Sequence, residues 1–151
     1  MNKDVVRVEP VALVQSEDGC MMFLGDGHKH MLMHIDPSVG HAINLSLANK
    51  EVARPMTHDL FTTTMLAFGA KVTRCTIVDV DDHEVYYARI FIEAKNEVMD
   101  RKIVEVDARP SDAIALAVRT NAPIYFLREL WNSREDRSGI LESFKDGESD
   151  E

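Results

Sequence analysis

The chain has 151 residues, which suits one domain that buries a core without disulfides or a structural metal. Hydrophobic residues make up 45% of it and charged residues 28%, and no stretch is apolar enough over about 18 residues to cross a membrane. Because the polar start lacks the features of a signal peptide, we expect a cytoplasmic protein. The formal net charge of −9 excludes a broad basic surface, so any nucleic-acid site must be a local pocket.

The first third of the chain alternates between apolar and polar residues in the manner of β-strands. Turns at Glu17-Asp18-Gly19 and Gly25-Asp26-Gly27 divide residues 5–35 into three predicted strands. Asp36-Pro37-Ser38 then opens a helix that continues to about Asn49.

A second helix is predicted after Pro55, with Thr57 as its N-cap and Asp59 in its positive first turn. Gly69 ends this helix. Four apolar residues fall on one face, which we expect to pack on the core: Leu60, Phe61, Met65 and Phe68.

The same order of elements then repeats. Strands are predicted at 72–80, 85–94 and 102–107, with the turn Asp81-Asp82-His83 between the first two. A helix opens at Pro110-Ser111 and ends near Asn121, before Pro123. A short extended run at 124–127 and a last helix from 128 to about 137 follow. Leu130 and Trp131 anchor that helix, and Trp131 could instead serve an oligomer interface.

The two halves also resemble each other in sequence, since residues 42–49 align with residues 113–120. Each of these helices follows a strand that ends in aspartate and enters through a Pro-Ser pair. We therefore predict a single α+β domain with an internal duplication of a three-strand, two-helix unit and a mixed β-sheet. Chance similarity of two alanine-rich helices is the alternative. The domain is expected to span residues 1–137, and residues 138–151 form an acidic tail that we expect to be disordered.

Two cysteines, Cys20 and Cys75, are too few for a disulfide framework or a four-cysteine zinc site. Neither lies in a CxxC pair or beside a predicted helix start, where a thiolate is stabilised. We expect both to be reduced residues of the core or of strands, with a redox role as the alternative.

Two similar segments carry the candidate chemistry. Arg54-Pro55 and Arg109-Pro110 each put an arginine before the proline that starts a helix, with an aspartate in the first turn. Free backbone N–H groups, a positive helix end and a guanidinium together suit a phosphate or carboxylate. The alternative is structural: each arginine forms an ion pair with a neighbouring aspartate and braces the helix start.

These segments resemble the two signature blocks of the bifunctional nuclease domain family. The first block is Arg54-Pro55-Met56-Thr57-His58-Asp59-Leu60, and the second is the ungapped run from Val106-Asp107-Ala108-Arg109-Pro110-Ser111-Asp112 to Ala117. The resemblance implies an α+β fold with an internal duplication and an activity on DNA and RNA. His41 departs from the family pattern, which commonly has an acidic residue there.

If that activity is present, phosphodiester cleavage needs a positioned water, charge stabilisation and proton transfer. The candidate catalytic residues are His58, Asp59, Asp107 and Asp112. The three aspartates are also the candidate ligands of a divalent Mg²⁺ or Mn²⁺ cofactor, and His58 is the candidate proton carrier. The candidate substrate-binding residues are Arg54, Arg109 and Ser111, of which the arginines would hold the phosphate.

A separate cluster lies in the third strand. A period of two puts His28, His30, His34 and Asp36 on one face, opposite Met31, Met33 and Ile35. His28 and His30 could bind zinc, nickel or copper. A solvated strand face is the simpler interpretation, because an extended strand separates His28 from His34 by about 20 Å.

Two functions from different classes remain open. The first is a nuclease that acts on DNA or RNA without strong sequence preference, which the resemblance favours. The second is a non-catalytic binding or assembly module that recognises a phosphate- or carboxylate-bearing ligand or partner protein at the Arg-Pro helix entries, which the acidic charge favours. Exposed edge strands also predict a homo-oligomer. The absence of GxGxxG, Walker A, HExxH and GxSxG motifs leaves other enzyme classes without support.

Overall fold

The structure is a computed structural model that describes residues 4–98 and 100–148. Its seven strands are β1 (Val5–Ser16), β2 (Gly19–Gly25), β3 (His30–Ile35), β4 (Ala70–Val80), β5 (Tyr86–Lys95), β6 (Arg101–Ala108) and β7 (Ile124–Leu127). Its helices are α1 (Pro37–Leu47), α2 (Thr57–Ala67), α3 (Pro110–Thr120), α4 (Arg128–Ser133) and α5 (Ser138–Glu148). The predicted single α+β domain is confirmed.

All seven strands belong to one mixed sheet in the order β3-β2-β1-β7-β4-β5-β6. Two antiparallel meanders, β1-β2-β3 and β4-β5-β6, lie on either side of β7. That short strand pairs antiparallel with β1 and parallel with β4. The strand order is thus symmetric about β7, as the predicted repeat of three strands requires. The second half departs from the repeat because α3 is followed by β7 and α4 rather than by one helix.

The main core lies between the sheet and α1 and α3. Cys20 of β2 and Cys75 of β4 are both buried free thiols, as the sequence predicted. α1 approaches β2 closely at Gly40, where an added Cβ would lie 2.6 Å from the Cys20 sulfur. Any larger residue at Gly40 would therefore push α1 away from the sheet. Burial raises the pKa of the Cys75 thiol to about 12.

Helix α2 differs from its prediction. Met56, not Thr57, is its N-cap, and the Asp59 carboxylate accepts the Met56 backbone N–H at 2.9 Å. The predicted apolar face is not buried, since Leu60 is 61% exposed and Phe68 81% exposed. Only Met65 of that face packs against the core. The reason is that α2 packs beside α3 and meets the sheet chiefly at β4, so that much of its apolar face stays open.

The predicted disorder from residue 138 onwards is wrong for residues 138–148, which form α5. Leu141 is buried, and the Phe144 ring contacts the Phe23 ring edge to face with centroids 6.3 Å apart. Apolar side chains at 140, 141 and 144 give this acidic segment one helical face that covers β2. The acidic composition of the segment gave no indication of this apolar face. The last residues of the predicted tail lie outside the described residues.

The histidine-rich strand has the predicted alternation within β3. Met31 and Met33 are buried, whereas His34 is exposed. His30 lies beneath the start of α5, with its Nδ1 2.8 Å from the Ser138 hydroxyl. His28 precedes the strand and is exposed, so it does not share the face of β3.

Trp131 belongs to the core of its own chain. It is 3% exposed, its indole N–H donates to Asp26 at 3.0 Å, and its ring packs on Phe126. This contact anchors α4, which is one of the two roles predicted for Trp131. Among the described residues, no helix has both the length and the apolarity needed to cross a membrane.

Candidate functional site

The carboxylate of Asp112, in the first turn of α3, joins two side chains from different parts of the chain. Its Oδ1 lies 3.0 Å from Nε2 of His58, in the first turn of α2. Its Oδ2 accepts a hydrogen bond from Nε of Arg109 at 2.7 Å. The fold therefore brings three of the predicted site residues into one network.

These contacts fix the charge of Asp112. Partial burial raises its pKa, but the hydrogen bonds that Asp112 accepts from Arg109 and His58, together with the positive charge of Arg109, lower it by more. The net pKa lies below the ordinary value, so Asp112 is ionised at neutral pH. The same contact with Asp112 raises the pKa of Arg109. Arg109 remains 64% exposed at its side chain, so its other guanidinium nitrogens can meet a ligand.

A pocket of about 510 Å³ opens between α1, α2 and α3, and we name it the helix pocket. His58 and Asp59 line it from α2, and Arg119 lines it from α3. The Arg119 Nε lies 2.5 Å from Oδ1 of Asp59, while the other Asp59 oxygen caps α2. Asp59 is thereby fixed at the wall of the pocket.

The loop between α1 and α2 forms the rim of the helix pocket. Lys50 and Pro55 of this loop line the pocket, and Arg54 lies immediately before Pro55. Arg54 is exposed, and none of the ion pairs or hydrogen bonds among the described residues involves its guanidinium. This arginine is therefore free to bind an anion from solvent.

A second pocket of about 490 Å³, the entry pocket, opens at the first residues of α3. Arg109, Pro110 and Ser111 line one side of it, and the end of β3 and the β4–β5 turn line the other. Asp112 connects the two pockets, because its Oδ1 meets His58 of the helix pocket and its Oδ2 meets Arg109 of the entry pocket.

Asp107 lies apart from the other predicted catalytic residues. It is opposite Arg89 in the β5–β6 ladder, and the Arg89 Nη1 lies 3.5 Å from its Oδ1. The preceding residue of β5, Ala88, is fully buried against the helices, so Arg89 and Asp107 face the opposite side of the sheet. The structure thus does not bring Asp107 to Asp59 and Asp112.

The predicted metal ligands do not form a set. Within residues 4–98 and 100–148, no three His, Cys, Asp or Glu side chains are close enough to hold one ion. Asp59 and Asp112 each already pair with an arginine, and Asp107 lies on the other side of the sheet. These residues do not fit a metal ion held by the protein alone.

Sequence reasoning missed Arg119 as a site residue. It lies seven positions after Asp112 on α3, and a helix repeats its face at this spacing. Ala115, between them, also lines the helix pocket and leaves space there because its side chain is small. The signal was therefore present in the spacing 112, 115 and 119, but only the position of α2 shows that this face borders a pocket.

Comparison with known families gives the class of this domain. The model of the bifunctional nuclease domain matches residues 22–137, a stretch that includes both candidate pockets. The chain belongs to the bifunctional nuclease domain family, which confirms the resemblance seen in the sequence.

The relatives include proteins with and without a described activity. An uncharacterized protein of Mycobacterium tuberculosis is 34% identical over 122 residues, covering 80% of this chain and 69% of the relative. Bifunctional nuclease 1 of Arabidopsis thaliana is 28% identical, covering 91% of this chain and 51% of the relative. Bifunctional nuclease 2 of the same plant is 25% identical, covering 78% of this chain and 44% of the relative. The chain thus spans about half the length of the two plant proteins.

Proposed function

We propose that this domain hydrolyses phosphodiester bonds of DNA and RNA at the helix pocket. The observation that carries the proposal is the position of Asp112, which bonds His58 through one oxygen and Arg109 through the other. A carboxylate that orients a histidine beside exposed cations is an arrangement suited to proton transfer near a phosphate. Family membership and the names of the two plant relatives support the same chemistry.

The proposal gives each group a role. Because Asp112 is ionised, Nε2–H of His58 donates to it, and Nδ1 keeps its lone pair. In the proposed reaction, Nδ1 accepts a proton from a water molecule that attacks the phosphorus. The bond from phosphorus to the leaving oxygen breaks, and that oxygen takes a proton from solvent. Since the nucleophile is water and not a ribose hydroxyl, the same step serves DNA and RNA.

Cations at the helix pocket stabilise the charge that develops on the phosphate oxygens. Arg119 and Lys50 line this pocket and Arg54 borders it, while Arg109 holds Asp112 in place from the entry pocket. Preorganised charges of this kind contribute most in a site that excludes water. A net charge of −9 then favours local binding of a flexible strand over a broad contact with a duplex.

A dependence on Mg²⁺ or Mn²⁺ stays a prediction. The described aspartates do not form a ligand set, and the proposed proton transfer uses His58. Digestion with each ion and with EDTA tests the requirement directly.

A second candidate function is a non-catalytic module that binds a phosphate- or carboxylate-bearing ligand or partner protein. The observation that favours it is that the described aspartates form no metal ligand set, whereas the exposed Arg54 and the largely exposed Arg109 can still meet an anion. Binding without cleavage would identify this function.

The deciding experiment is a timed digestion of labelled single-stranded DNA and RNA by wild type, Asp112→Asn, Arg109→Ala and Asp107→Asn. All four are purified identically, since trace nucleases imitate weak activity. We expect Asp112→Asn and Arg109→Ala to lose cleavage of both polymers. If only Asp107→Asn loses cleavage, the active site lies on the opposite side of the sheet. Equal cleavage by all four, or none by wild type, would contradict the proposal.

We also propose that the protein forms a homo-oligomer through the free edge of β6, and that it works in the cytoplasm. The other edge of the sheet, β3, is partly covered, because the Arg137 backbone N–H donates to the His30 carbonyl at 2.7 Å. β6 is an eight-residue strand without a bulge, and its Ile103 side chain is 63% exposed. A regular edge strand presents a row of unpaired N–H and C=O groups that can pair with another strand.

The charges of β6 favour a second copy as the partner. Antiparallel pairing centred on Ile103 would put Arg101 of one copy opposite Glu105 of the other. It would also bring the two Ile103 side chains together at the symmetry axis. Opposite charges and apolar pairs across strands are both stabilising.

A further inference from the structure

We propose that the entry pocket binds a second phosphate of the same nucleic-acid strand, a few nucleotides from the bond that is cut. This inference rests on the proposed function. It adds that the substrate is a chain extending beyond the cleavage point, held at Ser111 and Arg109 while the scissile phosphate occupies the helix pocket.

The first observation is an unused buried hydroxyl. Ser111 is only 6% exposed and lines the entry pocket. The Ser111 hydroxyl has no hydrogen-bond partner among the described residues. It is not fully enclosed either, because every fully enclosed side-chain oxygen or nitrogen in the described residues has a partner. The Ser111 oxygen therefore reaches the space of the pocket, where a ligand atom can complete its hydrogen bonding. Buried hydroxyls usually have such a partner.

The second observation is the backbone around that hydroxyl. The first intrahelical bond of α3 runs from the Ala113 N–H to the Arg109 carbonyl at 3.0 Å. The N–H groups of Ser111 and Asp112 precede this bond and have no partner among the described residues, and Pro110 has no N–H to offer. Free N–H groups at a positive helix end bind phosphate oxygens.

The charges of the pocket leave the arginines available. Two carboxylates line it, but Asp36 accepts the backbone N–H of Ser38 at 2.8 Å and Glu84 pairs with Arg134 at 3.1 Å. Arg109 is 64% exposed and Arg137 46% exposed at their side chains. Each of these arginines has one carboxylate partner and further N–H donors that can meet a phosphate.

The distance between the pockets suits a continuous strand. α3 contributes Ser111 to the entry pocket and Ala115 and Arg119 to the helix pocket. At about 1.5 Å per residue, the helix advances roughly 6 to 12 Å over this interval. A stacked strand advances about 3.4 Å per nucleotide, so the pockets are about two to three nucleotides apart.

Phosphate titration followed by amide NMR tests the pocket independently of cleavage. Inorganic phosphate is added to wild type, Ser111→Ala and Thr76→Ala. Thr76 is the matched control, because its hydroxyl is also on a side chain only 6% exposed but lies on the other side of the sheet. We expect saturable shifts of the Ser111 and Asp112 amides in wild type and Thr76→Ala, and binding weakened about tenfold in Ser111→Ala. Identical binding by all three proteins, or no shift at α3, would overturn the proposal.

Cleavage kinetics then test the link to the substrate. Wild type should have a lower KM for a hexanucleotide than for a dinucleotide, because only the longer chain reaches the entry pocket. In Ser111→Ala the KM for the hexanucleotide should rise about tenfold while kcat changes little. A KM that is the same for both lengths in wild type would overturn the inference and leave the nuclease proposal intact. If wild type cuts neither substrate, the nuclease proposal fails and the phosphate titration alone decides whether the entry pocket binds anions.

Discussion

Nε2 of His58 lies 3.0 Å from Oδ1 of Asp112, although 54 positions separate these residues in the sequence. His58 comes from the first turn of α2, and Asp112 comes from the first turn of α3. The pair joins the two signature segments across the boundary between the halves of the domain. Either half alone would lack it.

Replacing His58 with alanine should reduce cleavage of single-stranded DNA and RNA by about 100-fold or more, because the proton acceptor is lost. The rate is measured under single-turnover conditions with both polymers. His83→Ala is the matched control, since His83 lies in the exposed β4–β5 turn. Retained activity in folded His58→Ala would remove this histidine from the mechanism.

Asp112→Asn should destabilise the fold in a pH-dependent way. The folded pKa of Asp112 lies below the unfolded value of about 3.9, so its stabilising contribution is complete above that value and is lost as the pH falls through the folded pKa. We expect the free energy of unfolding to drop by about 1–2 kcal/mol at pH 7 and by progressively less below about pH 4. Urea unfolding from pH 7 to pH 3 measures this, with Asp82→Asn in the exposed turn as control. A loss that does not vary with pH would show that the charge is not responsible.

Leu141→Ala should lower the free energy of unfolding by about 2–3 kcal/mol, because the Leu141 side chain of α5 is 97% buried. Thermal and urea unfolding are compared with Glu142→Ala, which changes the exposed neighbouring residue. If both variants unfold like wild type, α5 does not pack on the sheet in solution.

Ile103→Lys should convert an oligomer to monomers without loss of fold, because the new charges would face each other at the proposed symmetry axis. Light scattering after size-exclusion chromatography gives the mass. Val11→Lys, at another exposed strand residue, should leave the mass unchanged. Ile103→Cys should form a disulfide-linked dimer under mild oxidation. A wild type that is monomeric at all concentrations would contradict pairing through β6.

The native cysteines should not react with thiol reagents in the folded state. Cys75 is fully buried and its pKa is raised to about 12, and burial also raises the pKa of Cys20. Reaction with an aromatic disulfide reagent should require unfolding by denaturant. Rapid labelling of the native protein would indicate local opening near α1 or α3.

The strands and the starts of the helices could be predicted from the sequence, because each depends on a local pattern of residues. Alternation predicted β3, and the proline after Arg109 predicted the start of α3. The exposure of α2 and the helix formed by residues 138–148 could not be predicted from local sequence. Both depend on whether an apolar side chain finds another part of the fold to pack against. Leu141 is buried in this way, whereas Phe68 stays exposed.

The candidate site was predictable in part. The residue types near Arg54 and Arg109 pointed to a phosphate site, and His58, Asp59 and Asp112 do line or join the pockets. The sequence placed Asp107 with them because it lies only five residues before Asp112. A strand residue and a helix residue can be only a few positions apart in the sequence and still lie on opposite sides of a sheet. Arg89 pairs with Asp107 on the side away from the helices.

Strand β7 sets the order in which this protein can be completed during synthesis. It is the only strand between the two meanders, and residues 124–127 within it pair with residues 5–8 of β1. β7 begins 116 positions after the last β1 residue that it pairs with, so β1 gains this neighbour long after it is synthesised. Until then each meander has an open inner edge as well as an outer one, and closure waits on a contact of very long sequence separation. In this interval the open edges can pair with a wrong strand.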